Sequence, residues 1–293
     1  MKRTYHILVS LLFVFCFQGR IMADEDSFKL PEIPGSITKP TDRAVYLSLH
    51  YWDHFDFADT SLISRPEITE QAFVDFINIL PYSTEAQAAA DTLFSRASVR
   101  NEMLYHFISL TDKYLYEPYS PMHNEDLYIV LLRALVSSPD LGELDKIRPR
   151  YQLEMALKNR PGDVASDFTF VCRDGKQRRL SDIQADYVLI YFNDPECETC
   201  HHVRKLLSMS QTVNRLLESG RLKLLSVCIK GKTLRWEKEE FPSGWIVGYD
   251  AVQRLTRDQV YDLREMPSLY LLDSEKRVIL KNASLEEVEE KLP

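Results

Sequence analysis

At Arg160-Pro161-Gly162 the hydrophobic pattern of this 293-residue chain changes its period, and that switch constrains the fold more than any other feature. Before it, from Thr41 to Asn159, apolar residues recur every three or four positions, and Gly142 is the only glycine. Stripes of that spacing in a glycine-poor stretch predict helices packed on helices. After it, short apolar runs alternate with helical stripes, which predicts an α/β arrangement, a mixed sheet with flanking helices. The expected organisation is an all-α region over 41–160 and an α/β region over 161–293. Pro161 and Gly162 suit the boundary between them.

Within the first region Asp42 is expected to cap a helix carrying Val45, Leu49 and Trp52. Ser64-Arg65-Pro66-Glu67 reads as a capping box with proline at the first helical position, opening a helix that buries Ile68, Ala72, Phe73, Phe76 and Leu80. Further helices are expected over Ala86–Ala97, Asn101–Tyr116 and Glu125–Val136. Pro149 should break the next one, which restarts over Arg150–Leu157. No fixed-period repeat is present, which argues against a solenoid. The aromatic group Tyr46, Tyr51, Trp52, Phe55 and Phe57 reads as core. His50 and His54 lie four apart, but no glutamate follows His50 as a zincin requires, and no metal is expected.

Residues 1–23 read as a signal peptide: Lys2 and Arg3, then an apolar run from Ile7 to Phe17 broken only by Ser10, then Ala23 before an acidic segment. That core is too short to span a bilayer. Residues 24–40 form an extended leader marked by Pro31, Pro34 and Pro40. Lipidation at Cys16 is disfavoured, because bulky Phe15 precedes it. Later apolar runs are shorter, and Leu127–Val136 is broken by Arg133, so a mature chain without a transmembrane segment is expected, exported to the periplasm or, less favoured, anchored by lipid. The formal net charge is −8, and removing residues 1–23 takes away three cations and no acid, leaving −11. Such a chain has no basic surplus with which to grip nucleic acid. Its four remaining cysteines meet a compartment that permits disulfides.

In the second region Phe168–Cys172 is expected as a strand, Asp174-Gly175 as a hairpin turn, and the unbroken apolar run Tyr187–Phe192 as a central strand. A helix over His201–Glu218, a strand over Leu222–Ile229 and a short helix over Asp258–Leu263 follow. A hairpin of Leu269–Leu272 with Arg277–Leu280 and a closing helix over Leu285–Leu292 complete the order. Cys197-Glu198-Thr199-Cys200 falls directly after the central strand, at the start of a helix. There free N–H groups and the helix dipole stabilise a thiolate, and a second cysteine one turn on can close a reducible disulfide.

These residues resemble the thioredoxin-like family, particularly its exported TlpA/ResA type. The resemblance covers about residues 161–293 and rests on Ala165-Ser166-Asp167-Phe168-Thr169, Asp174-Gly175-Lys176, Leu180-Ser181-Asp182, the Cys197–Cys200 pair and Met266-Pro267-Ser268-Leu269-Tyr270-Leu271-Leu272-Asp273. It implies a Cys197–Cys200 disulfide, Cys197 attacking and Cys200 resolving, and a cis Met266–Pro267 bond beside the pair holding extended substrate. It implies protein thiols and disulfides as substrates, a redox partner, and no cofactor. The helical region resembles a domain of unassigned function that precedes thioredoxin-like domains in exported bacterial proteins.

Three departures weigh on that reading. Glu196 stands where a thioredoxin has tryptophan, Tyr191 where it has a buried acid, and Lys230-Gly231-Lys232 where ResA-type proteins supply a glutamate. Asp194, Glu196 or His201 would have to relay protons instead. The charges of Glu196 and Glu198 should oppose a strongly acidic Cys197, which favours a reductant or isomerase over an oxidase. Rival readings stay open. Cys197-x-x-Cys200-His201 is also a c-type haem signature. Thr169 three before Cys172 mimics a peroxiredoxin-like peroxidase, though Ala165 replaces the expected proline. A thioredoxin fold with an idle cysteine pair would be a non-catalytic binding module. Cys172 and Cys228 fall on strands and read as buried thiols.

Overall fold

The computed structural model describes residues 27–117 and 120–293; the signal peptide falls outside them. The helical region holds α1 (Pro40–His50), α2 (Thr69–Ile79), α3 (Ala86–Ala97), α4 (Asn101–Thr111), α5 (Glu125–Ser137) and α6 (Ile147–Ala156). Their stripes converge on one core, in which Trp52, Phe73, Phe76, Leu93, Phe107 and Leu131 are all at most 1% exposed. Tyr51, Trp52, Phe55 and Phe57 are core, with Trp52 edge-on to Phe76 and Phe107, whereas Tyr46 lies outside that core, half-buried and stacked on His50.

Three helix starts differ from expectation. The first helix begins at Pro40, so Asp42 lies in its first turn and is not its cap. The Ser64–Glu67 capping box does not form, because Thr60–Ser64 is a short 3-10 helix and α2 starts only at Thr69, whose hydroxyl donates to Leu62 O at 2.6 Å. Pro149 does not break α6; it sits in the first turn, where its missing N–H has no intrahelical partner to lose. After Thr111 the chain widens into a π-turn over Asp112–Tyr116.

The second region is one seven-stranded mixed sheet, ordered β2-β1-β5-β4-β3-β6-β7. The strands are β1 (Thr169–Cys172), β2 (Gln177–Arg179), β3 (Tyr187–Asn193), β4 (Leu222–Cys228), β5 (Ile246–Tyr249), β6 (Ser268–Asp273) and β7 (Val278–Leu280). β3 lies between parallel β4 and antiparallel β6 and is buried on both faces. Val188, Ile190 and Phe192 point into one core, while Leu189 and Tyr191 point into the other, under α7 (Glu198–Met209), α8 (Gln211–Glu218) and α11 (Leu285–Lys291). The expected single helix over His201–Glu218 is two. Ser210 turns to ψ 120°, and its hydroxyl caps α8 by accepting from Val213 N–H, while the apolar stripe continues across the break.

The expected helix at Asp258–Leu263 is instead α10 (Arg254–Arg257), and α9 (Leu234–Lys238) and β5 have no counterpart in the sequence reading. β5 fits between β4 and β1 because of Gly248, where a Cβ would fall 2.7 Å from the Phe170 ring.

Asp167 joins the approach to β1 to the turn after β2, accepting from Ser181 N–H at 3.1 Å, Ser181 Oγ at 2.8 Å and Arg179 Nε at 2.9 Å. Burial pushes its carboxyl up, but these hydrogen bonds outweigh burial and hold it below the usual carboxylate value. A depressed folded pKa stabilises the fold above the unfolded carboxylate range and loses that contribution as pH falls through the folded value. Asp167→Asn is therefore expected to cost about 1 kcal/mol at pH 7, discounted for partial exposure. It should also flatten the decline of melting temperature between about pH 5 and pH 2. Melting curves across that range test this, and an unchanged acid limb contradicts it.

Candidate active site

β3 delivers the chain to the loop 194–196, and Cys197 becomes the N-cap of α7 with φ −87° and ψ 112°. Its Sγ accepts from Cys200 N–H at 3.1 Å, the position in which an N-cap side chain satisfies a free helix donor. The same Sγ lies 3.6 Å from the Met266 carbonyl oxygen, and the Met266–Pro267 bond is cis. The four residues singled out by the sequence, Cys197, Cys200, Met266 and Pro267, thus meet at one place. Cys197 is partly exposed and Cys200 is 2% exposed. Burial, reinforced by the Cys197 hydrogen bond, pushes the Cys200 thiol well above its ordinary value. Cys172, Cys197, Cys200 and Cys228 are all free thiols in this structure. An accessible sulfur on a helix N-terminus in front of a buried thiol can attack a disulfide and then be displaced from it.

Beneath the pair, Tyr191 fills the place of the missing acid and donates to Cys200 O at 2.6 Å. Trp245 packs edge-on to Tyr191 at 6.3 Å between ring centroids. Of the three relay candidates, Glu196 is exposed and turned to Arg235 at 2.6 Å. Asp194 accepts from Glu196 N–H at 2.9 Å and lies 3.8 Å from Lys230 Nζ. His201 Nε2 lies 2.9 Å from Pro195 O, so it carries the hydrogen there, and Nδ1 faces Arg204 at 3.0 Å and Glu239 at 3.3 Å.

Glu239 was not singled out by the sequence. Its side chain is 8% exposed; Oε2 accepts from Arg204 at 2.8 Å, and Oε1 is buried with no hydrogen-bond partner among the described residues. The chain after α9 brings it there, and Arg173, stacked on Trp236 at 5.1 Å, donates to the Trp236 carbonyl at 3.1 Å and to the Glu239 carbonyl. A lone glutamate 39 positions after Cys200 carries no spacing signal, so only the fold reveals it.

The other singled-out residues lie elsewhere. His50 Nδ1 is engaged by Asp53 at 2.7 Å, and no group of three metal-type side chains occurs among the described residues. Cys172 pairs in register with Gly248, and Cys228 with Tyr249, so a whole strand separates them. Two strand spacings are about 10 Å, beyond the roughly 7 Å that a disulfide tolerates. Burial pushes both thiols up, that of Cys228 to about 11. Cys172 ends β1 at a hairpin and has no helix N-terminus to activate it, which counts against a peroxidatic role.

Residues 10–159 match the profile of a domain of unknown function, DUF5106. The crystal structure of a thioredoxin-like protein from Bacteroides caccae is 41% identical over 90% of this chain and 96% of its own, with a TM-score of 0.78. The C-terminal domain of an uncharacterized protein from Bacteroides fragilis is 35% identical over 46% of this chain and 97% of its own, with a TM-score of 0.45. The thioredoxin domain of a thiol-disulfide oxidoreductase from Bacteroides vulgatus is 23% identical over 45% of this chain and 94% of its own, with a TM-score of 0.40. No curated protein matches the chain.

Proposed function

The chain belongs to the DUF5106 family and carries a thioredoxin-like fold behind that domain, and on that premise we propose that it exchanges disulfides with protein substrates. The single observation that carries this reading is the placement of Cys197. Its sulfur caps α7, lies 3.6 Å from the carbonyl beside cis-Pro267, and stands in front of buried Cys200. The Cys197 thiolate attacks one sulfur of a substrate disulfide, a Cys197–substrate bond forms, and the other substrate sulfur leaves as a thiolate. Cys200 loses its proton and attacks Cys197, closing the Cys197–Cys200 disulfide and releasing the second substrate sulfur. The substrate gains two electrons, the pair loses two, and an external dithiol must restore it. Met266 and Pro267 position the partner chain, and no cofactor enters.

The opposing demands on Cys200, burial first and deprotonation second, give the nearby carboxylates a role. Asp194 lies next to it, and Glu239 sits with His201 and Arg204 at the base of α7. The signal-like residues 1–23 support a location outside the cytoplasm for this chemistry. Among the described residues no helix is long and apolar enough to cross a membrane. Reduction of insulin by the mature chain with dithiothreitol as electron source is the test. Turnover supports an oxidoreductase. A chain that leaves insulin oxidised and shows no change in reduction state across −100 to −350 mV, the range of known dithiol pairs at its edges and beyond, is a binding module instead.

A further inference from the structure

The turn that delivers Cys197 to α7 is gripped by a histidine. Cys197 N–H donates to Asp194 O at 3.1 Å and Glu196 N–H to Asp194 Oδ1 at 2.9 Å, closing the turn around buried Pro195. In the middle of that turn Pro195 O accepts from His201 Nε2 at 2.9 Å. His201 lies four residues after Cys197, one helical turn on, which puts both side chains on the same side of α7.

The other ring nitrogen stands in an unfinished arrangement. Nδ1 accepts from Arg204 Nη2 at 3.0 Å, and Arg204 Nη1 donates to Glu239 Oε2 at 2.8 Å. Glu239 Oε1 lies 3.3 Å from Nδ1, buried and with no hydrogen-bond partner among the described residues. Two acceptors therefore face each other with no hydrogen between them. A buried orphan of this kind is costly, and a proton on Nδ1 would satisfy it while Arg204 keeps its bond to Oε2. Water can deliver that proton: the ring is 30% exposed and lines a cavity of about 500 Å³ with Arg204, Lys205, Ser208 and Phe241. None of these residues lines the cleft at Met266 and Pro267.

The remaining charges near the ring offset one another. On α7 Glu198 lies one turn before it and Lys205 one turn after, and Glu240 lines the same cavity as Lys205. In the turn, Asp194 Oδ2 lies 3.8 Å from Lys230 Nζ and Glu196 Oε2 lies 2.6 Å from Arg235 Nη1.

We propose that His201 is a positioning residue for Cys197, and that a proton taken up at Nδ1 against Glu239 favours the Cys197 thiolate and makes disulfide exchange responsive to pH. The inference rests on the disulfide-exchange reading. Nε2 carries its hydrogen in both protonation states, so the grip on Pro195 O persists. The added positive charge stands one turn from the sulfur and stabilises its anion. Histidine is the side chain that ordinarily changes charge between about pH 5 and pH 8.

The test follows exchange of the pre-reduced mature chain with neutral hydroxyethyl disulfide across that range and above it, by acid quenching and intact mass. His201→Gln keeps a donor for Pro195 O and loses the titrating ring, whereas His201→Ala loses both. The wild-type chain is expected to exceed His201→Gln about threefold near pH 6, the gain in thiolate being partly offset by its lower basicity, and to approach it by about pH 8.5. His201→Ala should fall about threefold below His201→Gln at every pH, because the turn is loosened. Nitrogen-15 spectra of the ring read the proton directly, with hydrogen on Nε2 throughout and a second arriving on Nδ1 as pH falls. Glu239→Gln should move that arrival to lower pH by about half a unit or more. Melting temperatures of the variants check that each is folded. A ratio of wild type to His201→Gln that does not vary with pH, equal rates for His201→Gln and His201→Ala, or a neutral ring carrying its hydrogen on Nδ1 overturns the proposal and leaves disulfide exchange standing. A chain inert to hydroxyethyl disulfide at every pH overturns both readings.

Discussion

Replacing Cys197 with Ser is expected to lower the rate of disulfide exchange by about a thousandfold or more, because the nucleophile is a thiolate and a serine hydroxyl stays protonated at neutral pH. The substitution should leave the fold nearly untouched. Serine is a preferred N-cap, and its oxygen can accept from Cys200 N–H as the sulfur does at 3.1 Å. Stability is therefore expected to change by less than about 1 kcal/mol. Cys200→Ser behaves differently. It leaves the first displacement intact and removes the second, so one reporter thiol is released per chain and turnover stops. Single-turnover release of a reporter thiol, measured with the melting temperature of each variant, separates chemistry from folding. A Cys197→Ser chain that exchanges within tenfold of wild type would make another sulfur the nucleophile.

Lys281→Ala is expected to cost about 3 kcal/mol of stability, the usual loss when one partner of a buried charge pair is removed. The lysine side chain is 3% exposed, at the junction of the two regions. Its ammonium donates to Ala156 O at 2.9 Å and Met155 O at 3.2 Å and pairs with Glu125 at 2.7 Å. The two carbonyls close α6, where the negative end of the helix dipole favours a cation. Without the lysine they and Glu125 face each other uncompensated, and burial already pushes the Glu125 carboxyl up. Lys281→Ala with Glu125→Gln should recover part of the loss, as coupled neighbours do. Urea unfolding of the three variants measures it, and a single-variant loss below about 0.5 kcal/mol contradicts the account.

Much of this architecture was legible because its strongest signals are local. Tyr187–Phe192 is apolar at every position, and only a strand covered on both faces uses such a run, so the centre of the sheet could be placed. The stripes of α3 and α5 gave their spans to within a residue. Breaks that leave the stripe intact were not legible. Ser210 divides α7 from α8 with Leu207, Val213 and Leu216 buried on either side, so the apolar spacing passes through unaltered. Pro149 misled in the other direction, since a proline in a first turn and a proline in a helix interior look alike until the start of the helix is known.

The site divides in the same way. Cys197 and Cys200 are neighbours in sequence, and Met266-Pro267 opens a recognisable strand, so the constellation could be assembled from motifs. Glu239 reaches the start of α7 through long-range packing. Its position depends on Arg173 and Trp236 holding the chain after α9, which no pattern announces. Where a thioredoxin has its buried acid this chain has Tyr191, which donates to Cys200 O, while the buried carboxylate of Glu239 pairs with Arg204 at the start of α7.

The central claim is that Cys197 is the attacking sulfur and Cys200 the one that releases the partner. The most direct measurement is intact mass, before and after a thiol reductant, of Cys197→Ser and Cys200→Ser chains incubated with a disulfide-linked peptide. The account predicts that Cys200→Ser gains the mass of one peptide, lost on reduction and mapped to Cys197, while Cys197→Ser gains none. Equal trapping by the two variants, or an adduct mapped to Cys172 or Cys228, would contradict it.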